Sequence, residues 1–189
     1  MADFAQTQNT KNLQKFIQGI PDRGIPEKVT TKHLEGLGFK SKNDRPIIAV
    51  LRFLGVLTSD GTPSEAYRRL RNKEKAPKEL AELIRNAYAR LFSDYPDAHS
   101  KDGEALSTWF STHTAVGASS VKNMVNTFSA LCALADFNGI KTGNQSQAKP
   151  SDDDKENSER DKSRKRNQID AQIAFNIQIQ IPGEQSPDV

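Results

Sequence analysis

Residues 29–61, VTTKHLEGLGFKSKNDRPIIAVLRFLGVLTSDG, read as a short helix, a polar turn and a longer helix that runs into a second turn. The longer helix starts after Asn43 or Asp44, whose side-chain oxygens can accept from the free N–H groups of a first turn. Pro46 falls within that turn, where a backbone donor is dispensable. Ile47, Ile48, Leu51 and Leu54 sit at i, i+1, i+4 and i+7, which at about 100° per residue makes one apolar stripe. Arg45, Ala49 and Arg52 lie opposite. Gly55 can take the left-handed conformation that ends a helix, and Val56-Leu57-Thr58 is then a short extended piece before the turn Asp60-Gly61. The preceding helix is capped by Thr30 or Thr31, buries Leu34 and Leu37, and stops at Gly36 and Gly38. Two short helices cannot cover their own apolar faces, so the unit needs a third.

Both flanks offer one. Upstream, Leu13, Phe16, Ile17 and Ile20 mark an amphipathic helix ended by Pro21 and Gly24, preceded by a frayed start over residues 1–10. Downstream, Thr62-Pro63-Ser64-Glu65 is a capping box that opens a helix through Tyr67 and Leu70, with Arg68, Arg69 and Arg71 on its exposed side. Ala76-Pro77 begins the most regular helix, carrying Leu80, Leu83, Ile84, Ala87, Tyr88 and Leu91 and ending near Tyr95-Pro96. A helix bearing Leu106, Trp109 and Phe110 follows, then a longer one from Ser120 to about Ala135. Shifting the first long helix by 77 residues places Ile47, Ile48, Leu51 and Leu54 on Met124, Val125, Phe128 and Leu131, as a tandem repeat would; any two amphipathic helices can also be superposed this way.

The fold expected is therefore mainly α: tandem helix-turn-helix or winged-helix-like trihelical units at residues 11–75 and 76–142. Residues 143–168 are polar and charged with almost no apolar side chains, the composition of a disordered linker. In residues 169–189, Phe175, Ile177, Ile179 and Ile181 alternate with Asn176, Gln178 and Gln180, a period of two that reads as a single β-strand. A lone amphipathic strand needs an edge to pair with: the same strand of a second copy, a partner's sheet, or sequence beyond Val189.

The whole chain of 189 residues carries a net charge of +3, but residues 23–90 hold 15 Lys and Arg against 8 Asp and Glu. That local excess of +7 coincides with the helix-turn-helix-like stretch and points to a polyanionic partner. Cys132, the single cysteine, excludes an internal disulfide framework and suits a reducing cytoplasm. Neither a signal peptide nor a run of about 20 apolar residues is present, so no membrane role is expected.

Residues 36–70, GLGFKSKNDRPIIAVLRFLGVLTSDGTPSEAYRRL, together with AYARLFSDYPDA at 87–98 and VKNMVNTFSALCALADF at 121–137, resemble an uncharacterised bacterial family, a domain of unknown function. The resemblance runs from Leu13 to about Phe137. It implies that members continue through a variable linker into a segment similar to FNIQIQIP at 175–182, so this chain is either a fragment or has a short C-terminal unit. It implies no reaction, cofactor or catalytic residue.

An enzyme fits poorly. His33, His99 and His113 are scattered, without the i, i+4 pairing of a metal site. Asp94, Asp97 and Asp102 around His99 read as a solvated loop, and neither a glycine-rich phosphate loop nor a nucleophile elbow occurs. The leading expectation is DNA binding without a cofactor. Arg45 and Arg52 would reach base edges or phosphates, Asn43 would cap the helix or touch a base, and Lys40, Lys42, Arg68, Arg69 and Arg71 would neutralise flanking phosphates. The competing expectation is a protein-interaction adaptor that assembles as a homodimer or with a protein partner through Phe175, Ile177, Ile179 and Ile181.

Overall fold

A computed structural model describes residues 4–138, and within them the chain is helical. The linker and the alternating segment with Phe175, Ile177, Ile179 and Ile181 lie outside the described residues. Eight α-helices follow one another: α1 (Thr10–Gln18), α2 (Thr31–Gly36), α3 (Pro46–Phe53), α4 (Glu65–Arg69), α5 (Ala76–Ala87), α6 (Ala89–Asp94), α7 (Gly103–His113) and α8 (Ala118–Cys132).

Their starts follow local chemistry. Asn9, Thr30, Ser64 and Asp102 each accept from a backbone N–H in the first turn of α1, α2, α4 and α7, while α3 and α5 begin instead with a proline in the first turn. Gly55, at φ +72°, closes α3, and the N–H groups of Gly55 and Val56 return to Arg52 O and Leu51 O at 2.9 Å each. The chain then forms a minimal hairpin. Leu57 pairs antiparallel with Pro63, and Thr58 N–H donates to Thr62 O at 2.9 Å. This is the extended piece and Asp60-Gly61 turn that the sequence indicates.

Residues 76–95 differ from the single regular helix expected. Tyr88, at φ −105° and ψ 30°, separates α5 from α6. Its ring is fully buried, in edge contact with Phe53 at 5.0 Å and Phe128 at 4.9 Å. A break there turns Leu91 and Phe92 back into the core, where both are buried.

The core is one cluster that takes side chains from every helix, α1 to α8. α8 is central, packing against α1, α5 and α7, and Gln14 Nε2 ties α1 to α8 by donating to Ala130 O at 2.9 Å. Residues 11–75 and 76–142 thus do not bury separate cores, because the α1 face read as completing the first unit also covers α8. All eight positions matched by the 77-residue shift are buried, although α3 has 8 residues and α8 has 15.

The frayed start also needs correction. Phe4 is 5% exposed, stacked on Tyr88 at 5.6 Å with its edges toward Phe110 at 5.2 Å and Trp109 at 5.7 Å. Thr7 is buried as well, its N–H donating to Thr127 Oγ1 at 3.0 Å. Residues 4–9 form an arm that crosses the core, held by partners 35 to 120 positions away.

Candidate functional site

The surface that α3 presents is set by Asp44, which is 1% exposed. Its Oδ1 accepts from Asn9 Nδ2 at 2.7 Å and Asn12 Nδ2 at 2.8 Å, and its Oδ2 accepts from Ser41 N–H at 3.1 Å. Ser41 Oγ accepts in return from Asn43 N–H at 3.2 Å, closing a capping box around a 3-10 turn over Lys42–Asp44. Asp44 therefore clamps the entry of α3 to α1 instead of capping α3, whose first turn receives no side-chain bond. Asn43 is exposed and donates its backbone N–H to Ser41, so it is not the cap of α3 either.

With Ile47, Ile48, Val50 and Leu51 turned inward, Arg45, Ala49 and Arg52 are left exposed along one face of α3. They line an open groove of about 360 Å³ with Ile48, Val29, Thr30 and Thr31 at the start of α2, and Asp60 at the hairpin tip. Neither arginine forms an ion pair among the described residues. Arg52 lies over the tip: a Cβ built on Gly61 would stand 3.5 Å from its guanidinium.

The tip itself is pinned. Val29 N–H donates to Gly61 O at 2.8 Å, and Gly61 N–H donates to Thr58 O at 3.0 Å. Gly61 has φ +89°, a region that side-chain-bearing residues rarely adopt, and Val29 O stands 3.0 Å from where its Cβ would be. Asp60 is fixed by the Thr58 hydroxyl, by Thr62 Oγ1 at 2.8 Å and by Lys28 Nζ at 3.1 Å. These donors hold its carboxyl well below the usual carboxylate range, so it stays ionised.

The remaining basic residues of the expected set do not share this groove. Lys42 and Asn43 face a second polar groove of about 330 Å³, bordered by Gln6 and Thr7 of the arm and by Ser119, Ser120 and Asn123 at the start of α8. Lys40 is exposed. On α4, Arg69 Nε donates to Glu79 Oε2 of α5 at 2.8 Å, and Arg68 lies 3.9 Å from Glu65. Arg71 is exposed. The eight residues thus divide into the α3 face, the α3 entry and α4. Sequence reasoning passed over Lys28, Thr30, Thr31 and Asp60 as site residues. A signal existed for Asp60: threonines two positions to either side of an Asp-Gly turn are placed to hold its carboxylate.

The acidic residues around His99 serve separate ends. Asp94 accepts from Trp109 Nε1 at 2.7 Å, Asp97 pairs with Lys101 at 3.2 Å, and Asp102 caps α7. His99 stacks on Phe137 at 4.3 Å, and burial lowers its basicity. Burial pushes the Cys132 thiol up to about 12, far from the range of a reactive thiolate. No helix among the described residues is long and apolar enough to cross a membrane.

Residues 6–142 match the family of unknown function DUF5343. No curated protein and no solved structure matches the chain.

Proposed function

The chain belongs to DUF5343, a family of unknown function, and from that premise we propose, on the strength of its own groove, that it binds duplex DNA without catalysing a reaction. The observation that carries the proposal is the α3 face. Two exposed arginines seven residues apart, about 10.5 Å along a helix axis, flank the small Ala49 and have no acidic partner among the described residues. A surface helix gains little from two unneutralised guanidiniums on one stripe; a polyanion in contact with that stripe supplies the missing charge.

In this reading α1, α2 and α3 with the short hairpin act as a winged-helix-like unit, and α3 enters the major groove. Arg45 and Arg52 are suited to the O6 and N7 acceptors of guanine or to phosphates, and Ala49 lets the helix backbone approach the base edges. Lys40 and Lys42 at the α3 entry, with Arg68 and Arg71 on α4, neutralise the flanking backbone. Arg69, held by Glu79, contributes least.

A salt titration tests this. If about five phosphates are neutralised, the logarithm of the association constant for a mixed-sequence duplex falls with the logarithm of salt at a slope near −4 to −5. A slope near zero, or no binding at low salt, overturns the proposal.

A further inference from the structure

The groove beside α3 is not uniformly basic. Asp60 lines it together with Arg45 and Arg52, its side chain 53% exposed. A carboxylate facing a polyanion weakens every sequence-independent contact, so a groove built only to neutralise phosphate would be better served by a neutral residue. Nor is Asp60 a loose surface charge: Thr58, Thr62 and Lys28 hold it, and the tip that carries it is bonded to Val29.

Thr58 donates to Oδ1, and Thr62 and Lys28 donate to Oδ2; the side chain nonetheless stays about half exposed beside the groove, where a donor from outside can reach it. In the major groove, hydrogen-bond donors on base edges are the N4 amine of cytosine and the N6 amine of adenine, and a carboxylate is suited to the former.

Building on the DNA reading above, we infer that Asp60 is a specificity-determining acceptor that takes a cytosine amino group next to the guanine contacts of Arg45 and Arg52. The hairpin then discriminates among sequences, while α3 supplies most of the affinity. Lys28, paired with Oδ2, offsets the charge of Asp60 toward neighbouring phosphates and leaves its side chain about half exposed.

The test is selection of binding sites from a pool of duplexes with a randomised core, using the full chain, Asp60→Asn and Asp60→Glu, with thermal melting to compare their folds. Wild type is expected to enrich cytosine about fivefold at one position. Asp60→Asn should lose that enrichment yet bind the unselected pool at least as tightly, since one negative charge is gone. Asp60→Glu should lose the enrichment without that gain, because its charge remains and its acceptor has moved by one methylene. Cytosine enrichment that persists in both variants, or wild-type binding with no preference, overturns the inference and leaves DNA binding standing. Wild type that retains no duplex from the pool overturns both.

Discussion

Tyr88 sits fully buried between Phe4, Phe53, Phe110 and Phe128, and its hydroxyl has no hydrogen-bond partner among the described residues. Burial drives its pKa far above that of an ordinary tyrosine. A buried donor left unmade costs about 1–3 kcal/mol, so Tyr88→Phe is predicted to raise stability by about 1 kcal/mol, read as a higher urea midpoint at unchanged slope. The partly buried histidines act in the opposite sense at low pH. Burial, then Arg23, lowers the pKa of His33; burial, then Arg85, lowers that of His99. Below the unfolded value of about 6.5 the unfolded chain takes up protons that the folded chain refuses. The stability these two histidines contribute is thus complete above pH 6.5 and is lost as pH falls through their folded values. Unfolding free energy measured at pH 7.5 and 5.5 should be lower at 5.5, and the difference should shrink when both are replaced by Gln. Asp60, held below the usual carboxylate range, keeps its charge throughout this window.

At the scale of the element, α3 depends on a residue outside it. Asp44 satisfies Asn9, Asn12 and the Ser41 N–H at once, so Asp44→Ala leaves three donors without their acceptor and should cost about 2–4 kcal/mol in chemical denaturation. Asp44→Asn, which retains one acceptor oxygen, should cost less. Much of this region was legible in advance: the stripe of Ile47, Ile48, Leu51 and Leu54, the stop at Gly55 and the Asp60-Gly61 turn are all encoded within a few residues of where they act, whereas the capping box read on Thr62 gives way to Ser64 as the cap of α4. The exposed faces of Arg45 and Arg52 follow from the same periodicity. Asp44 was legible only as a cap, since its true partners lie 32 and 35 positions upstream. The break at Tyr88 was hidden for a related reason. Its spacing suits a continuous helix, and only the aromatic rings gathered from α3, α7, α8 and the N-terminal arm show why the chain turns there.

At the scale of the molecule, the arm over residues 4–9 decides how the core closes. Phe4 fills the space between Phe53, Tyr88, Trp109 and Phe110, and a buried Phe reduced to Ala typically costs about 3–5 kcal/mol. Phe4→Ala should lower stability by an amount in that range in the same denaturation experiment, whereas a frayed arm would show almost none. Nothing local in the sequence DFAQTQN announces such packing, because Thr7 meets its partner Thr127 only when the chain has returned after 120 residues. How the two helical units pack on one another was hidden in the same way. Periodicity identifies an apolar face but not which neighbour will cover it, and α1 covers α8 as well as the elements beside it in sequence.

Fluorescence anisotropy of a labelled mixed-sequence duplex measures DNA binding by the basic face of α3 most directly. The full chain should be compared with Arg45→Glu/Arg52→Glu and with an Arg68→Glu/Arg71→Glu control on α4, at low and moderate salt, after matching their thermal melts. Binding that weakens steeply with salt, is abolished in the α3 variant and is only reduced in the α4 variant is the predicted result. Binding by the α3 variant that equals wild type, or an intact chain that leaves the anisotropy of the duplex unchanged at low salt, would contradict it.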